Sequence, residues 1–139
     1  MGVGFVITDT IHERDRDMVM QGLLRYNLER LEDKNPKDLG VYLRDEAGEM
    51  LAGLIGHTHG NWVFVKYLWV GEALRKQGIG GGLLEQAEKA ARERGCKYAF
   101  LDTFSFQAPA FYQKHGYREV FALDAYPVTG KRHYFTKTL

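Results

Sequence analysis

The residues best placed to do chemistry stand between Trp69 and Leu84. An apolar run ends at Val70, a short turn carries Glu72 and Arg75, and Gln77-Gly78-Ile79-Gly80-Gly81-Gly82 opens a helix that continues at Leu83-Leu84. The first backbone N–H groups of a helix have no intrahelical acceptor and carry partial positive charge. Glycines leave those groups unshielded, so the turn is suited to a phosphate or a pyrophosphate. Arg75 stands at its rim, where its cationic head orders the loop, meets phosphate, or is simply solvated.

Three rival roles for the glycines compete with this one. A Walker loop needs Gly-Lys-Ser/Thr at the helix start, and Gly80-Gly81-Gly82-Leu83 does not supply it. A dinucleotide fingerprint fits Gly78 and Gly80, with Asp102 as a ribose-binding acid, but Leu83 occupies the third glycine position. A purely structural turn is the third. Several glycines in a helix's first turn cost up to about 1 kcal/mol each relative to alanine, so a close approach to the backbone is expected there.

Other reactive groups are few. His57 and His59 share one face of a strand pattern, but no third and fourth ligand accompanies them, so no metal site is expected. Cys96 follows Gly95 at the start of a buried-type strand and reads as inert core rather than a nucleophile. As the one cysteine, it leaves no internal disulfide.

The chain that positions these groups has 139 residues, which suits a single domain spanning 1–139. Nineteen Lys and Arg nearly balance eighteen Asp and Glu, with no basic stripe for nucleic acid or an anionic membrane. No apolar stretch is long enough to span a bilayer, and Met1-Gly2-Val3-Gly4-Phe5 lacks a signal-peptide pattern. A soluble cytoplasmic protein is expected.

Hydrophobic periodicity gives the order β-α-β-β-β-α-β-α-β-β. Phe5–Thr8 reads as a first strand. A helix from about Asp15 to Leu31 follows, capped by Asp9 or Thr10, with Gly22 as a bend or break. Leu39–Arg44, Met50–His59 and Trp62–Val70 form an antiparallel meander. The helix after Gly78 buries Ile79, Leu83, Ala87, Ala90 and Ala91. It turns Glu85, Glu88, Lys89, Arg92 and Glu93 to solvent and stops at Gly95. Tyr98–Leu101 is a buried strand, parallel to Trp62–Val70 by a right-handed crossover. A short helix Ala108–His115 and the strands Val120–Leu123 and His133–Thr136 complete a mixed α/β sheet.

Arg75-Lys76-Gln77-Gly78-Ile79-Gly80 resembles the Arg/Gln-x-x-Gly-x-Gly/Ala signature of the GNAT superfamily of N-acetyltransferases. The likeness extends to Leu83-Leu84 and to Phe111-Tyr112-Gln113-Lys114-His115-Gly116-Tyr117, and it is strongest over Trp62 to Val120. It implies the acyl-CoA N-acyltransferase fold: a mostly antiparallel central sheet, a splayed parallel pair and flanking helices. It implies acetyl-CoA as cofactor, with its pyrophosphate on the backbone of Gln77, Gly78, Ile79, Gly80, Gly81 and Gly82, and Arg75 at the rim. Leu68, Trp69 and Val70 would follow the pantetheine arm, and the Val70 N–H would serve the thioester carbonyl as an oxyanion donor. Ser105, Phe106 and Ala108 would line the cofactor; serine replaces the asparagine many members carry. Tyr112 would be the general acid for the departing thiolate.

The resemblance leaves the base open. The position of the family's strand glutamate is Phe64 here, and Lys66 shares its side. Glu72, His57, His59 or a water chain remain candidates. Acceptor specificity would reside in about Asp15–Pro36 and Asp124–His133, where Tyr26, Glu29, Glu32, Asp33, Asp124 and Tyr126 offer acidic and aromatic surface. The implied activity is acetyl transfer to a primary amine, a small molecule or a peptide, by direct attack in a ternary complex. A non-catalytic acyl-CoA sensor or assembly module is the other class. The exposed last strands could pair in a homodimer.

Overall fold

The computed structural model describes residues 2–30, 32 and 35–139. The chain divides into two compact units, Met1–Lys34 and Asn35–Leu139. The first holds one helix, α1 (Glu13–Leu28), which starts after His12 with no side-chain cap. Neither Asp9 nor Thr10 caps it. Instead Thr8 Oγ1 accepts from the Thr10 N–H at 3.0 Å, closing a local turn. Phe5–Thr8 is not a strand: an apolar run becomes one only where a neighbour completes its ladder, and none pairs with it among the described residues. Gly22 does not interrupt α1, because fifteen other residues sustain its hydrogen bonding. Leu31 and Asp33 lie outside the described residues.

The second unit is a six-stranded sheet. Its strands are β1 (Lys37–Arg44), β2 (Met50–His59), β3 (Trp62–Val70), β4 (Tyr98–Phe104), β5 (Arg118–Leu123) and β6 (Arg132–Thr138). Its order is β1-β2-β3-β4-β6-β5. The meander β1-β2-β3 is antiparallel, as are β4-β6 and β6-β5; β3 and β4 are parallel. Helix α2 (Ile79–Glu93) makes the crossover between them, and the short helix α3 (Pro109–Lys114) joins β4 to β5. The mixed sheet with one parallel pair is the one the sequence predicts.

Alternation along the strands sets the core. Ala52, Leu54, Val63, Val65, Leu101 and Phe135 are buried in one cluster with Leu83, Leu84, Ala87 and Ala91 of α2. Each fully buried leucine or phenylalanine contributes about 1.5–3 kcal/mol relative to an exposed one. Gly95 follows α2 with φ +93°, and the Cys96 N–H returns to the Ala91 carbonyl at 2.9 Å, a glycine-dependent helix stop.

Glu88 departs from expectation. It is buried rather than solvated: it accepts from the Tyr117 hydroxyl at 3.0 Å and from Lys137 Nζ at 2.7 Å, with Arg92 at 3.9 Å. The expected i,i+4 partner is the most distant of the three. A buried carboxylate needs such donors, and two of them come from segments remote in sequence.

Candidate active site

The parallel pair is short. β3 and β4 are in register only from Trp62↔Tyr98 to Val65↔Leu101, and beyond that point the strands part. The cause is visible one residue on. Opposite β2, the register passes from Tyr67↔Ile55 to Val65↔Gly56, so Lys66 is an extra, bulged residue. Gly56 permits it: a Cβ there would lie 2.1 Å from the Phe64 carbonyl oxygen. The bulge also shifts the alternation, leaving Lys66 and Tyr67 both exposed before Leu68 and Val70 turn back to the core. Phe64 and Lys66 nonetheless both line one cleft, as the expected shared side requires.

Between the parted strands lies a cleft of about 1330 Å³. Its β3 side presents backbone. The Gly71 N–H donates to the Leu51 carbonyl of the β2 side at 2.9 Å. Strand geometry then turns the N–H and C=O groups of Val70 and Leu68 the other way, toward the gap β4 has left. Arg75 Nε donates to the Val70 carbonyl at 3.1 Å, tying the turn to the strand end. Leu68, Trp69, Val70 and Arg75 all line the cleft.

The loop then delivers α2 to the same place. Gly78 caps the helix with φ +78°, a left-handed geometry that favours glycine, and Lys76 precedes it with φ +65°. The Gly82 N–H is already committed to the Gly78 carbonyl at 3.0 Å. Among the described residues no backbone carbonyl accepts from Ile79, Gly80 or Gly81, so three N–H groups remain at the helix start. Gly78, Ile79, Gly80 and Gly81 line the cleft; Gln77 and Gly82 do not, and Gln77 Nε2 donates to the Ala73 carbonyl at 3.2 Å.

Two glycines answer to packing. A Cβ on Gly80 would sit 3.1 Å from the Phe111 ring, and one on Gly81 would sit 2.6 Å from His115 Cε1. What approaches the backbone at these positions is the α3 region of the protein itself. Gly82 faces open space.

The β4–α3 side presents side chains. Tyr112 is 9% exposed, lines the cleft and packs edge-on to Phe111 and Tyr117. Burial, and then the negative charge of Asp102, raise its pKa above the ordinary phenol value, so the hydroxyl keeps its proton at neutral pH. Ala108 also lines the cleft. Phe106 is 80% exposed and stacks on Phe104, while Ser105 Oγ lies 2.9 Å from His133 Nε2; neither lines the cleft. Glu72, in a 3-10 turn over Glu72–Leu74, is exposed and outside the cleft lining; His57 and His59 also lie outside it. His57 packs edge-on to Phe64. Among the described residues no group of three or more His, Cys, Asp or Glu could hold a metal. Cys96 is buried, with Sγ 3.5 Å from the Gly60 carbonyl.

One pair escaped sequence reasoning as part of this cleft. Asp102 is the first residue of β4 beyond the last β3 partner, and it lines the cleft with Arg132. Arg132 donates to Asp102 Oδ1 through Nε at 2.8 Å and Nη2 at 2.7 Å, and through Nη1 to the Tyr126 hydroxyl at 3.0 Å. The hydrogen bond to Asp102 is the main cause holding the Arg132 guanidinium above its usual pKa. A lone acid closing the apolar run Tyr98-Ala99-Phe100-Leu101 is the one signal in the sequence; its partner, thirty positions away, has none.

The cleft thus joins a strand edge, a helix start suited to an anion and a buried phenol. Residues 7–117 match the Acetyltransferase (GNAT) family, and the chain belongs to that family. It is 35% identical over 121 residues to an acetyltransferase of Agrobacterium fabrum, covering 87% of this chain and 88% of that one. It is 40% identical over 100 residues to the blasticidin-S acetyltransferase of Streptomyces morookaense, covering 71% and 74%. The crystal structure of a Bacillus cereus acetyltransferase superposes with a TM-score of 0.83 at 31% identity, covering 96% and 98%. Acetyl-CoA is the cofactor of this acetyltransferase family, and the N–H groups at the start of α2 suit its phosphates. Among the described residues no helix is long and apolar enough to cross a membrane.

Proposed function

We propose that this chain is an N-acetyltransferase that transfers acetyl to the primary amine of a small molecule by direct attack in a ternary complex. The observation that carries this reading is the parting of β3 and β4 after Val65 and Leu101, with Tyr112 on the rim of the same gap. Acetyl-CoA supplies an acyl group activated as a thioester, together with phosphates that anchor it.

This chain's own groups divide the remaining work. Ile79, Gly80 and Gly81 N–H groups at the start of α2 hold phosphate, with Arg75 bracing the turn. Backbone groups of Leu68 and Val70 hold the extended arm along the strand edge, and Trp69 shields it. The Val70 N–H offers a donor to a carbonyl oxygen in the gap, where such donors contribute most when charge develops. Tyr112 holds a proton at its hydroxyl that can be given up inside the cleft. Asp102, paired with Arg132 through Oδ1, is the carboxylate of the cleft lining; Glu72 stands outside it. The relative named a blasticidin-S acetyltransferase supports a small-molecule acceptor. The chain's single, buried cysteine accords with action in the reducing cytoplasm.

The test is a panel of primary amines, blasticidin S among them, with acetyl-CoA and free-thiol detection. The expected result is amine-dependent thiol release, reduced in Tyr112→Phe. Tight acetyl-CoA binding with no release on any amine would instead identify a sensing or assembly module.

A further inference from the structure

A second reactive constellation lies outside the cleft lining. Ser105 follows the last residue of β4, at a strand-to-turn junction leading to α3. The junction is held firmly. The Ser105 N–H donates to the Lys131 carbonyl at 3.2 Å, and Gln107 Oε1 accepts from Thr103 Oγ1 at 3.0 Å and from the Phe104 N–H at 2.8 Å. Ser105 is exposed, so its hydroxyl can meet a reagent from solvent.

That hydroxyl lies 2.9 Å from His133 Nε2 and 3.5 Å from the Lys131 carbonyl, to which it can also donate. The other ring nitrogen, Nδ1, is bonded to Glu119 Oε1. The His133 side chain is 16% exposed, which limits its motion. The chemistry of these groups sets the direction of the chain. An ionised carboxylate only accepts, so Nδ1 must carry the hydrogen that bonds Glu119. When the ring is neutral, Nε2 is then a lone-pair acceptor to which the Ser105 O–H can donate. This is the order nucleophile, base, orienting acid, recognised by roles rather than by sequence position. The N–H of Phe106, the residue after the serine, has no acceptor among the described residues and is a donor for a developing oxyanion.

We propose that Ser105, His133 and Glu119 form a serine-nucleophile site that cleaves small activated acyl esters. Ser105 Oγ attacks the acyl carbon as its proton passes to His133 Nε2. The bond from carbon to the leaving oxygen breaks, and the leaving alkoxide takes that proton. Water then attacks the acyl-serine and gives its proton to Nε2. The acid departs, and the serine oxygen recovers the proton. Ser105 and His133 are the catalytic residues of this site; Glu119 is a positioning residue.

The test uses the whole chain with no coenzyme A and no amine, so it is independent of the acetyltransferase reading. Treatment with diisopropyl fluorophosphate, followed by peptide mass mapping, is expected to place one adduct on Ser105, with fluoride displaced. Ser105→Ala should take up none, and His133→Gln should react at least about 100-fold more slowly, the usual contribution of a general base. Hydrolysis of p-nitrophenyl acetate should exceed the buffer rate and fall to it in Ser105→Ala. For Glu119, nitrogen NMR of the His133 ring should show the Nδ1–H tautomer, lost in Glu119→Gln. No adduct on Ser105, an equal rate in folded His133→Gln, ester hydrolysis absent or unaffected by Ser105→Ala, or an Nε2–H ring would each overturn the proposal. The map of the unmutated chain decides even where a variant fails to fold.

Discussion

The two walls of the cleft work by different means. The β3–α2 wall acts through backbone: strand groups of Leu68 and Val70 aimed into a gap, and N–H groups at a helix start. The β4–α3 wall acts through side chains: Tyr112, Asp102 and Arg132. The first needs glycines and a bulge, features that shape the chain but name no reagent. The second needs particular functional groups, and one pair of these meets only because β6 lies beside β4. In the proposed function, one wall binds the carrier and the other acts on its cargo.

The comparison can be broken most sharply at Tyr112. Tyr112→Phe should lower kcat by about 10²–10⁴-fold, the range for losing a general acid. Acetyl-CoA affinity, read by calorimetry, should change less than about threefold, well under the roughly 1.4 kcal/mol that tenfold represents. Equal losses in both would merge the two walls. The reverse pattern is expected at Gly78. Gly78→Asp forces a side chain into a left-handed conformation, at about 1–2 kcal/mol, where glycine has φ +78°. Acetyl-CoA affinity should fall by up to about 100-fold, because a carboxylate would also face phosphate at the helix start. Unchanged affinity would detach the loop from the carrier.

A third change separates a glycine confined by packing from one that faces open space. Gly81→Ala should destabilise the fold by about 1–3 kcal/mol through overpacking against His115, and Gly82→Ala, in open space, should not. Thermal melting with the Gly81→Ala/His115→Ala double variant checks this. Recovery of stability in the pair would confirm the clash; an additive loss would refute it. The smallest effect is on pH dependence. Tyr112 and Tyr117 both hold their protons above the ordinary phenol pKa of about 10, chiefly through burial. The unfolded chain loses those protons first, so stability should fall as pH rises beyond about 10. Tyr112→Phe should make that alkaline slope shallower in denaturant titrations; an unchanged slope would remove Tyr112 as a contributor.

Legibility follows the range of the interactions. β2 and β3 run over the residues the alternation marks, because a strand's faces are written at a period of two. The helix after Gly78 and its stop at Gly95 are equally plain. Phe5–Thr8 carries a strand's residues and forms none, because a strand also needs a partner. Glu88 looks solvated from its neighbours in sequence, yet its nearest partners, Tyr117 and Lys137, are 29 and 49 positions away. Gly80 and Gly81 stand out in the sequence as unusual, and part of the cause is Phe111 and His115 rather than a ligand alone.

By itself, then, the order of residues determined the strands, the glycine-opened helix and the phenol that follows it, because each depends on neighbours within a few turns of chain. Only the tertiary structure decided where β3 and β4 separate, that Lys66 bulges against Gly56, and that Asp102 meets Arg132. Those outcomes depend on which strands lie side by side. Strand neighbours are fixed when the whole sheet closes over its core, a cooperative event that no local stretch records.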